Sequence, residues 1–167
     1  MKKIDTVLFD LDGSLLPMDQ DRFVRLYMEA LGRTFALDGL EPEKLTSSVW
    51  KGVEAMIKND GSIKNRERFW QVFSESMDRD MKEQEPRFVR FYEDQFGEAK
   101  AATGYSELSA KAVRLLKRKG YTVVLATNPV FPTVATYRRI RWAGLSPEDF
   151  DLVTTYEEER YCKPNLA

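Results

Sequence analysis

The most informative segment of the chain is Ile4-Asp5-Thr6-Val7-Leu8-Phe9-Asp10-Leu11-Asp12-Gly13. Its first six residues form a short, mostly apolar run, which predicts a buried β-strand. The Asp-x-Asp-Gly group that follows predicts a turn directly after the strand, because Asp and Gly favour turns. Asp10 and Asp12 are therefore candidate functional residues at the end of a strand.

Further along the chain, helical and strand patterns alternate. Apolar residues at helical spacing predict four helices near residues 19–31, 42–59, 65–80 and 86–96, with Gly32 and Gly97 ending the first and the last. After them the patterns predict a helix at 106–119, a strand at 121–126, a helix at 132–143 and a strand near 151–155. The helix at 106–119 is expected to turn four side chains inward: Ala112, Val113, Leu115 and Leu116.

This order of elements predicts an α/β fold. Strands that alternate with helices favour a parallel sheet with right-handed crossovers. The four helices between the first strand and the rest, at about residues 17–100, are expected to form a helical subdomain.

Composition narrows the possible chemistry. The chain has 167 residues, of which 43% are hydrophobic and 32% charged, and its net charge of −1 gives no general attraction to nucleic acid or an anionic membrane. No apolar run is long enough for a membrane span, and the N-terminus lacks the features of a signal peptide. The single cysteine, Cys162, fits a cytoplasmic protein. Histidine is absent, which excludes Ser-His-Asp triads and histidine zinc sites.

Three polar clusters follow the three predicted strands. They are Asp10-Leu11-Asp12-Gly13, Thr127-Asn128-Pro129 and Cys162-Lys163-Pro164-Asn165. Because the carboxyl ends of parallel strands bind ligands, we expect these clusters to converge. A carboxylate can attack phosphorus while its neighbour holds or gives a proton. Lys163, the Thr127 hydroxyl and the Asn128 backbone N–H would receive an anionic phosphoryl group, and oxygen ligands favour Mg²⁺.

The three clusters, in this order, resemble the motifs of the haloacid dehalogenase superfamily. The resemblance implies that Asp10 is the nucleophile, Asp12 the general acid/base, and Lys163 the cation that stabilises both nucleophile and transferring group. It assigns phosphoryl binding to Thr127 and a mobile turn beside the site to Gly13. It also implies a Mg²⁺ site at Asp10 and Asp12. The presence of Asp12 favours a phosphatase, since the dehalogenases of this family lack that second carboxylate.

The resemblance also implies an architecture. Residues 1–16 and 101–167 would form a Rossmann-like, three-layer core around a parallel sheet, and residues 17–100 an inserted α-helical cap that closes over a small phosphorylated substrate. The family's fourth motif, an acidic group after a further strand, is absent, and we expect a truncated core with an incomplete metal site and an exposed edge on the first strand. The cap and this exposed edge are the two surfaces through which a homodimer would form.

Other interpretations remain open at this stage. A non-catalytic fragment or interaction module would keep the fold without a complete metal site, and a phosphomutase would return the phosphoryl group to substrate. A calcium loop is disfavoured, because Gly13 is at the wrong position of the motif for an EF-hand. The basic groups Lys117–Lys119 and Arg138–Arg141 are interpreted as solvated helix faces.

Overall fold

The computed structural model describes residues 4–165, so Met1–Lys3, Leu166 and Ala167 of the predicted core lie outside the described residues. The strands and α-helices run in the order β1 (Thr6–Phe9), α1 (Gln20–Ala36), α2 (Pro42–Ile57), α3 (Asn65–Met77), α4 (Glu85–Glu93), α5 (Glu107–Arg118), β2 (Thr122–Leu125), α6 (Thr133–Trp142) and β3 (Leu152–Val153). Short 3₁₀ helices occupy Lys82–Gln84, Gln95–Ala102 and Pro147–Asp149. Within the described residues, no helix is both long and apolar enough to cross a membrane.

The three strands form one parallel sheet in the order β1-β2-β3. The register pairs Phe9 with Leu125, and Leu125 with Val153. The strands therefore end at a common edge, and the residues that follow them emerge there together. This sheet with its surrounding helices confirms the predicted Rossmann-like α/β fold class.

Strand β1 lies at one side of the sheet, hydrogen-bonded in the described structure to β2 alone. The prediction that it is a fully buried strand is wrong, because Leu8 is 63% and Ile4 73% exposed. An edge strand is covered on fewer sides than a central one, so its apolar side chains need not be enclosed. The expected homodimer through this edge stays a prediction.

Helices α1 to α4 and the 3₁₀ helix that follows them pack through aromatic side chains. Phe73 stacks on Phe69 with ring centroids 5.3 Å apart, and Phe35 stacks on Phe88 at 4.2 Å. The segment leaves and rejoins the rest of the chain at one place, where Met18 and Thr103 form an antiparallel bridge. The division into a cap at 17–100 and a core stays a prediction.

Two glycines do not end their helices as predicted. Helix α1 continues past Gly32 to Ala36, because Gly32 allows close packing on α2: a Cβ at Gly32 would lie 3.2 Å from Cβ of Pro42. Helix α4 ends at Glu93, before Gly97, and Arg138 donates from its guanidinium to the backbone oxygen of Tyr92 at 2.9 Å. Tertiary contacts, which local propensity does not include, decide both features.

The prediction of which residues of α5 face inward is only partly correct. Ala110 and Val113 are buried, but Leu115 is 43% exposed and Ala112 is exposed as well. The described sheet has three short strands and covers only a narrow stripe of this helix. The sequence pattern indicated which side is apolar, whereas the width of the sheet decided how much of that side is covered.

Candidate active site

The residues after β1 and β2 lie beside each other at the carboxyl edge of the sheet. The backbone N–H of Ala126 donates to the carbonyl of Phe9 at 2.8 Å, so Asp10 and Thr127 follow directly on paired backbone. Thr127 is buried, and its carbonyl accepts a hydrogen bond from the Thr154 hydroxyl at 2.6 Å. The turn that carries Asp10 is thus fixed against the end of β2.

Asp10 and Lys163 meet at this edge, although 153 residues separate them in the sequence. Nζ of Lys163 lies 2.9 Å from Oδ1 of Asp10, and the two side chains remain 54% and 38% exposed. Asp10 is therefore accessible from solvent and has a cation on one of its oxygens.

Asn128 holds the Lys163 segment in place. Its side-chain oxygen accepts a hydrogen bond from the backbone N–H of Lys163 at 3.1 Å. The preceding residue, Cys162, is buried, and its sulfur accepts a 3.4 Å hydrogen bond from the side chain of Asn65 in α3. The sequence predicted a role for Asn128 through its backbone, whereas the structure gives its side chain a positioning contact.

The turn after Asp10 requires a glycine. Gly13 has φ of +78°, a backbone conformation that side chains with a Cβ adopt only with strain. Its N–H donates to the carbonyl of Leu16 at 2.9 Å, and the N–H of Leu16 donates to the carbonyl of Leu11 at 2.9 Å. The result is a tight, hydrogen-bonded loop with Asp12 inside it.

Asp12 has a different environment from Asp10. Its side chain is 24% exposed, and its Oδ2 accepts a hydrogen bond from the guanidinium of Arg139. Its Oδ1 is buried and has no hydrogen-bond partner among the described residues. The two carboxylates of the motif thus pair with different cations, Lys163 at the open edge and Arg139 in the interior.

Arg139 is a site residue that the sequence interpretation placed wrongly. It was interpreted as solvated, but it is 1% exposed, and its guanidinium carbon lies 4.2 Å from the ring centroid of Phe131. Helical spacing contained the signal that would have located it, because the inward face of α6 holds Ala135, Thr136, Arg139 and Ile140. A charged residue on an otherwise apolar helix face needs a partner, and Asp12 is that partner.

A cavity of about 220 Å³ lies between helices α1 to α4 and the segments that follow the three strands, with Asp12 in its wall. Most of its lining is aromatic or aliphatic, including side chains from α1, α2, α3 and α4. The hydroxyls of Tyr27 and Tyr92 hydrogen-bond each other at 2.9 Å in this wall. Burial raises the pKa of Tyr27 to about 12 and that of Tyr92 well above its usual value, so both hydroxyls stay protonated.

Glu85 is a second carboxylate in the cavity wall, and its charge is compensated. Its carboxylate pairs with the guanidinium of Arg66, whose Nε lies 2.7 Å from Oε1, and also accepts from the indole of Trp70 at 3.2 Å. Burial acts to raise the pKa of Glu85, but the hydrogen bonds and positive charge of Arg66 outweigh it and leave the pKa lowered. Glu85 is thus an ionised, fully engaged acceptor.

Comparison with solved structures gives low sequence identity over almost the whole chain. A haloacid dehalogenase family enzyme of Bacteroides thetaiotaomicron is 19% identical, with 98% of this chain and 74% of that chain covered and a TM-score of 0.51. A Haemophilus somnus protein described as a predicted phosphoglycolate phosphatase is 16% identical, with 99% and 68% covered and a TM-score of 0.45. A Clostridium difficile protein provisionally described as a phosphatase is 16% identical, with 96% and 65% covered and a TM-score of 0.42.

The low identity and partial coverage limit which properties of these proteins can be attributed to this chain. The chain spans 65% of the length of the Clostridium difficile protein. The Bacteroides thetaiotaomicron structure supports the fold alone at this identity. The comparison with curated proteins gave no match.

The family model for haloacid dehalogenase-like hydrolases matches residues 4–166. The match contains all three polar clusters at the strand ends, and the parallel sheet brings Asp10 and Lys163 of these clusters into contact. The chain belongs to the haloacid dehalogenase-like hydrolases.

Proposed function

We propose that this chain hydrolyses a small phosphomonoester with Asp10 as nucleophile. The contact between Asp10 and Lys163 supports this proposal most strongly, because it places a partly exposed carboxylate and a cation together at the edge where parallel sheets bind ligands. An accessible carboxylate is able to approach phosphorus, and the ammonium compensates the negative charge of the incoming group.

The proposed reaction has two steps. In the first, an oxygen of Asp10 forms a bond to phosphorus while the bond from phosphorus to the alcohol oxygen breaks, and Asp12 gives its proton to that oxygen. In the second, Asp12 takes a proton from water, the water oxygen bonds to phosphorus, and the bond to Asp10 breaks to release inorganic phosphate. Both steps use the same proton-carrying group in opposite directions, as general acid–base catalysis requires.

The different surroundings of the two carboxylates support this division of roles. Asp10 is open to solvent beside Lys163, whereas Asp12 is less exposed, faces the cavity and is held by Arg139. Two carboxyl groups in different environments are able to act as nucleophile and as proton carrier in the same site. Thr127, at the end of β2, is proposed to bind the phosphoryl oxygens. The mobility that the resemblance implies for the turn at Gly13 stays a prediction.

Family members generally use Mg²⁺, and the residues present fit this ion. Asp10 and Asp12 offer oxygen ligands, which are the ligands that Mg²⁺ prefers. Within residues 4–165 there is no group of three or more His, Cys, Asp or Glu side chains suited to a metal, so a cation here would keep several waters, as Mg²⁺ does. When bound, Mg²⁺ would supply positive charge to the phosphoryl oxygens.

The test is Mg²⁺-dependent release of phosphate from an aryl phosphate by this chain and by Asp10→Asn. We expect a loss of roughly 10³-fold or more in kcat/KM for Asp10→Asn, because the nucleophile is removed. Asp38→Asn, at a salt bridge to Arg87 remote from the sheet edge, is the matched control and should keep full activity. Hydrolysis that persists in Asp10→Asn would refute the mechanism, and absence of hydrolysis would favour the non-catalytic alternative.

A further inference from the structure

Resting on the proposed function, we infer that the cavity beside Asp12 binds the leaving group, and that this group is an uncharged, largely apolar alcohol about one ring in size. The cavity adjoins the proposed reacting site at Asp12, the proposed proton donor to the leaving oxygen, because Asp12 forms part of its wall. The group that receives this proton must therefore lie at the Asp12 end of the cavity.

The charge of the wall excludes an anionic leaving group. Among the described residues that line the cavity there is no Lys or Arg, and its two acidic members are Asp12 and Glu85. A carboxylate or a second phosphate placed there would leave water without gaining a cation, which is strongly unfavourable. The cations nearest to these acids, Arg139 and Arg66, are already paired with them.

The hydrogen bonds of the wall disfavour a polyol or sugar. The hydroxyls of Tyr27 and Tyr92 bind each other, and Glu85 accepts from Arg66, Trp70 and the hydroxyl of Tyr156. These groups are engaged before any ligand enters. A substrate with several hydroxyls would find only the exposed Gln20 and Oδ1 of Asp12 as further polar contacts. Its other hydroxyls would be buried without partners, and such a mismatch is costly in a desolvated site.

The remaining surface suits a flat apolar group. Phe23, Phe131 and Val53 present apolar walls from α1, from the loop before α6 and from α2. The volume of about 220 Å³ exceeds the roughly 150 Å³ of an apolar protein cavity that accepts benzene. A single ring with a short linker to the phosphate oxygen therefore matches the space and its chemistry.

The experiment compares four phosphate esters that all release a primary alcohol: benzyl phosphate, methyl phosphate, glycerol 3-phosphate and phosphoglycolate. We expect kcat/KM for benzyl phosphate to exceed the values for glycerol 3-phosphate and phosphoglycolate by roughly 100-fold, with methyl phosphate between them. Equal or higher values for either polar ester would overturn the inference.

Variants that fill the cavity test whether the preference for benzyl phosphate arises there. Val53→Trp in α2 and Val24→Trp in α1 each place a large side chain in the wall, so the ratio of kcat/KM for benzyl over methyl phosphate should fall about tenfold or more. Ile57→Trp is the matched control, since Ile57 is on the same helix as Val53, is 42% exposed and does not line the cavity. An unchanged ratio in both filling variants would overturn the inference.

A binding measurement separates this inference from the proposed reaction. Ligand-detected NMR with the Asp10→Asn protein should show benzyl alcohol bound and glycerol unbound, and Val53→Trp should abolish the benzyl alcohol signal. If benzyl alcohol binds but no ester is hydrolysed through Asp10, the proposed function fails and the cavity assignment stands. If esters are hydrolysed through Asp10 without preference and benzyl alcohol does not bind, the cavity assignment fails and the proposed function stands.

Discussion

Polar groups at the sheet edge and in the cavity between the helices have opposite environments. At the edge, Asp10 and Lys163 form a single contact and remain about half exposed. In the cavity wall, Tyr27 and Tyr92 are buried and Glu85 is 18% exposed, and all three are engaged with protein partners. One region thus leaves its polar atoms available to a ligand, whereas the other offers mainly apolar contact.

The two regions also differ in what holds them. A half-exposed ion pair contributes little to stability, because water solvates both charges well when they separate. Buried aromatic side chains contribute a large share of folding free energy through the apolar area they remove from water. Substitutions in the two regions are therefore expected to affect activity and stability separately.

The largest expected effect is on stability, from Phe73→Ala in α3. Phe73 is fully buried and in ring contact with Phe69, Trp70 and Phe88, so the variant should lose about 3–5 kcal/mol of unfolding free energy. Urea denaturation followed by circular dichroism measures this loss. Leu8→Ala, at a position 63% exposed, is the control and should change the free energy by less than about 0.5 kcal/mol. Equal losses of unfolding free energy for the two substitutions would contradict the larger contribution assigned to the buried aromatic side chains.

The next effect is on activity, from Lys163→Ala at the sheet edge. Removal of the cation that touches Asp10 should lower kcat/KM for an aryl phosphate by about 10²–10³-fold. The unfolding free energy should change by less than about 1 kcal/mol, because the pair is exposed. Lys163→Arg should retain part of the activity, and Lys119→Ala, at the end of α5, all of it. A stability loss without an activity loss would show that Lys163 has a structural role instead.

A smaller effect, with a pH dependence, is expected from Glu85→Gln. The folded pKa of Glu85 lies below its usual value of 4.5, so ionised Glu85 stabilises the fold above that pH, and this contribution disappears as pH falls through the lowered folded pKa. The variant should lose about 1–2 kcal/mol at neutral pH. Denaturant titrations at pH 7 and at successively more acidic pH should show the difference shrink.

Glu158→Gln is the matched control for Glu85→Gln, since Glu158 is 70% exposed in its pair with Lys64. It should change the unfolding free energy by less than about 0.5 kcal/mol at either pH. A difference between wild type and Glu85→Gln that grows toward acid pH would show that the sign of the Glu85 contribution is wrong.

The last prediction concerns the chemical reactivity of Cys162, beside Lys163, and involves no change in folding or activity. Burial raises the pKa of its thiol to about 11, although the hydrogen bond from Asn65 lowers that pKa to some extent. Because only the thiolate is alkylated readily, iodoacetamide at pH 8 should label the folded protein roughly 100-fold more slowly than the urea-unfolded protein. Mass spectrometry measures both rates. Equal rates would show that Cys162 is more open than its burial indicates.

Several features were predictable from sequence because they are local. The apolar runs located all three strands, and the polar residues directly after the first two located Asp10 and Thr127 at one sheet edge, since parallel strands end together. The Asp-x-Asp-Gly group identified the turn at Gly13. Helical periodicity located six helices to within a few residues, apart from the ends attributed to Gly32 and Gly97.

Other features were not predictable because they arise from contacts between distant segments. The guanidinium of Arg139 reaches Asp12 across 127 positions of sequence. The side chain of Asn128 accepts from the backbone of Lys163, and the exposure of Leu8 depends on the number of strands beside β1. No local propensity contains these relations.

Strand and turn preferences act over a few neighbouring residues, so local sequence was enough to place Asp10 and Thr127 directly after strands. Their surroundings follow instead from tertiary packing: Asp10 lies in the open beside Lys163, and Asp12 lies against a buried arginine and an apolar cavity. Burial and charge pairing depend on the packing of segments far apart in the chain, and the reactivity of a carboxylate depends on both.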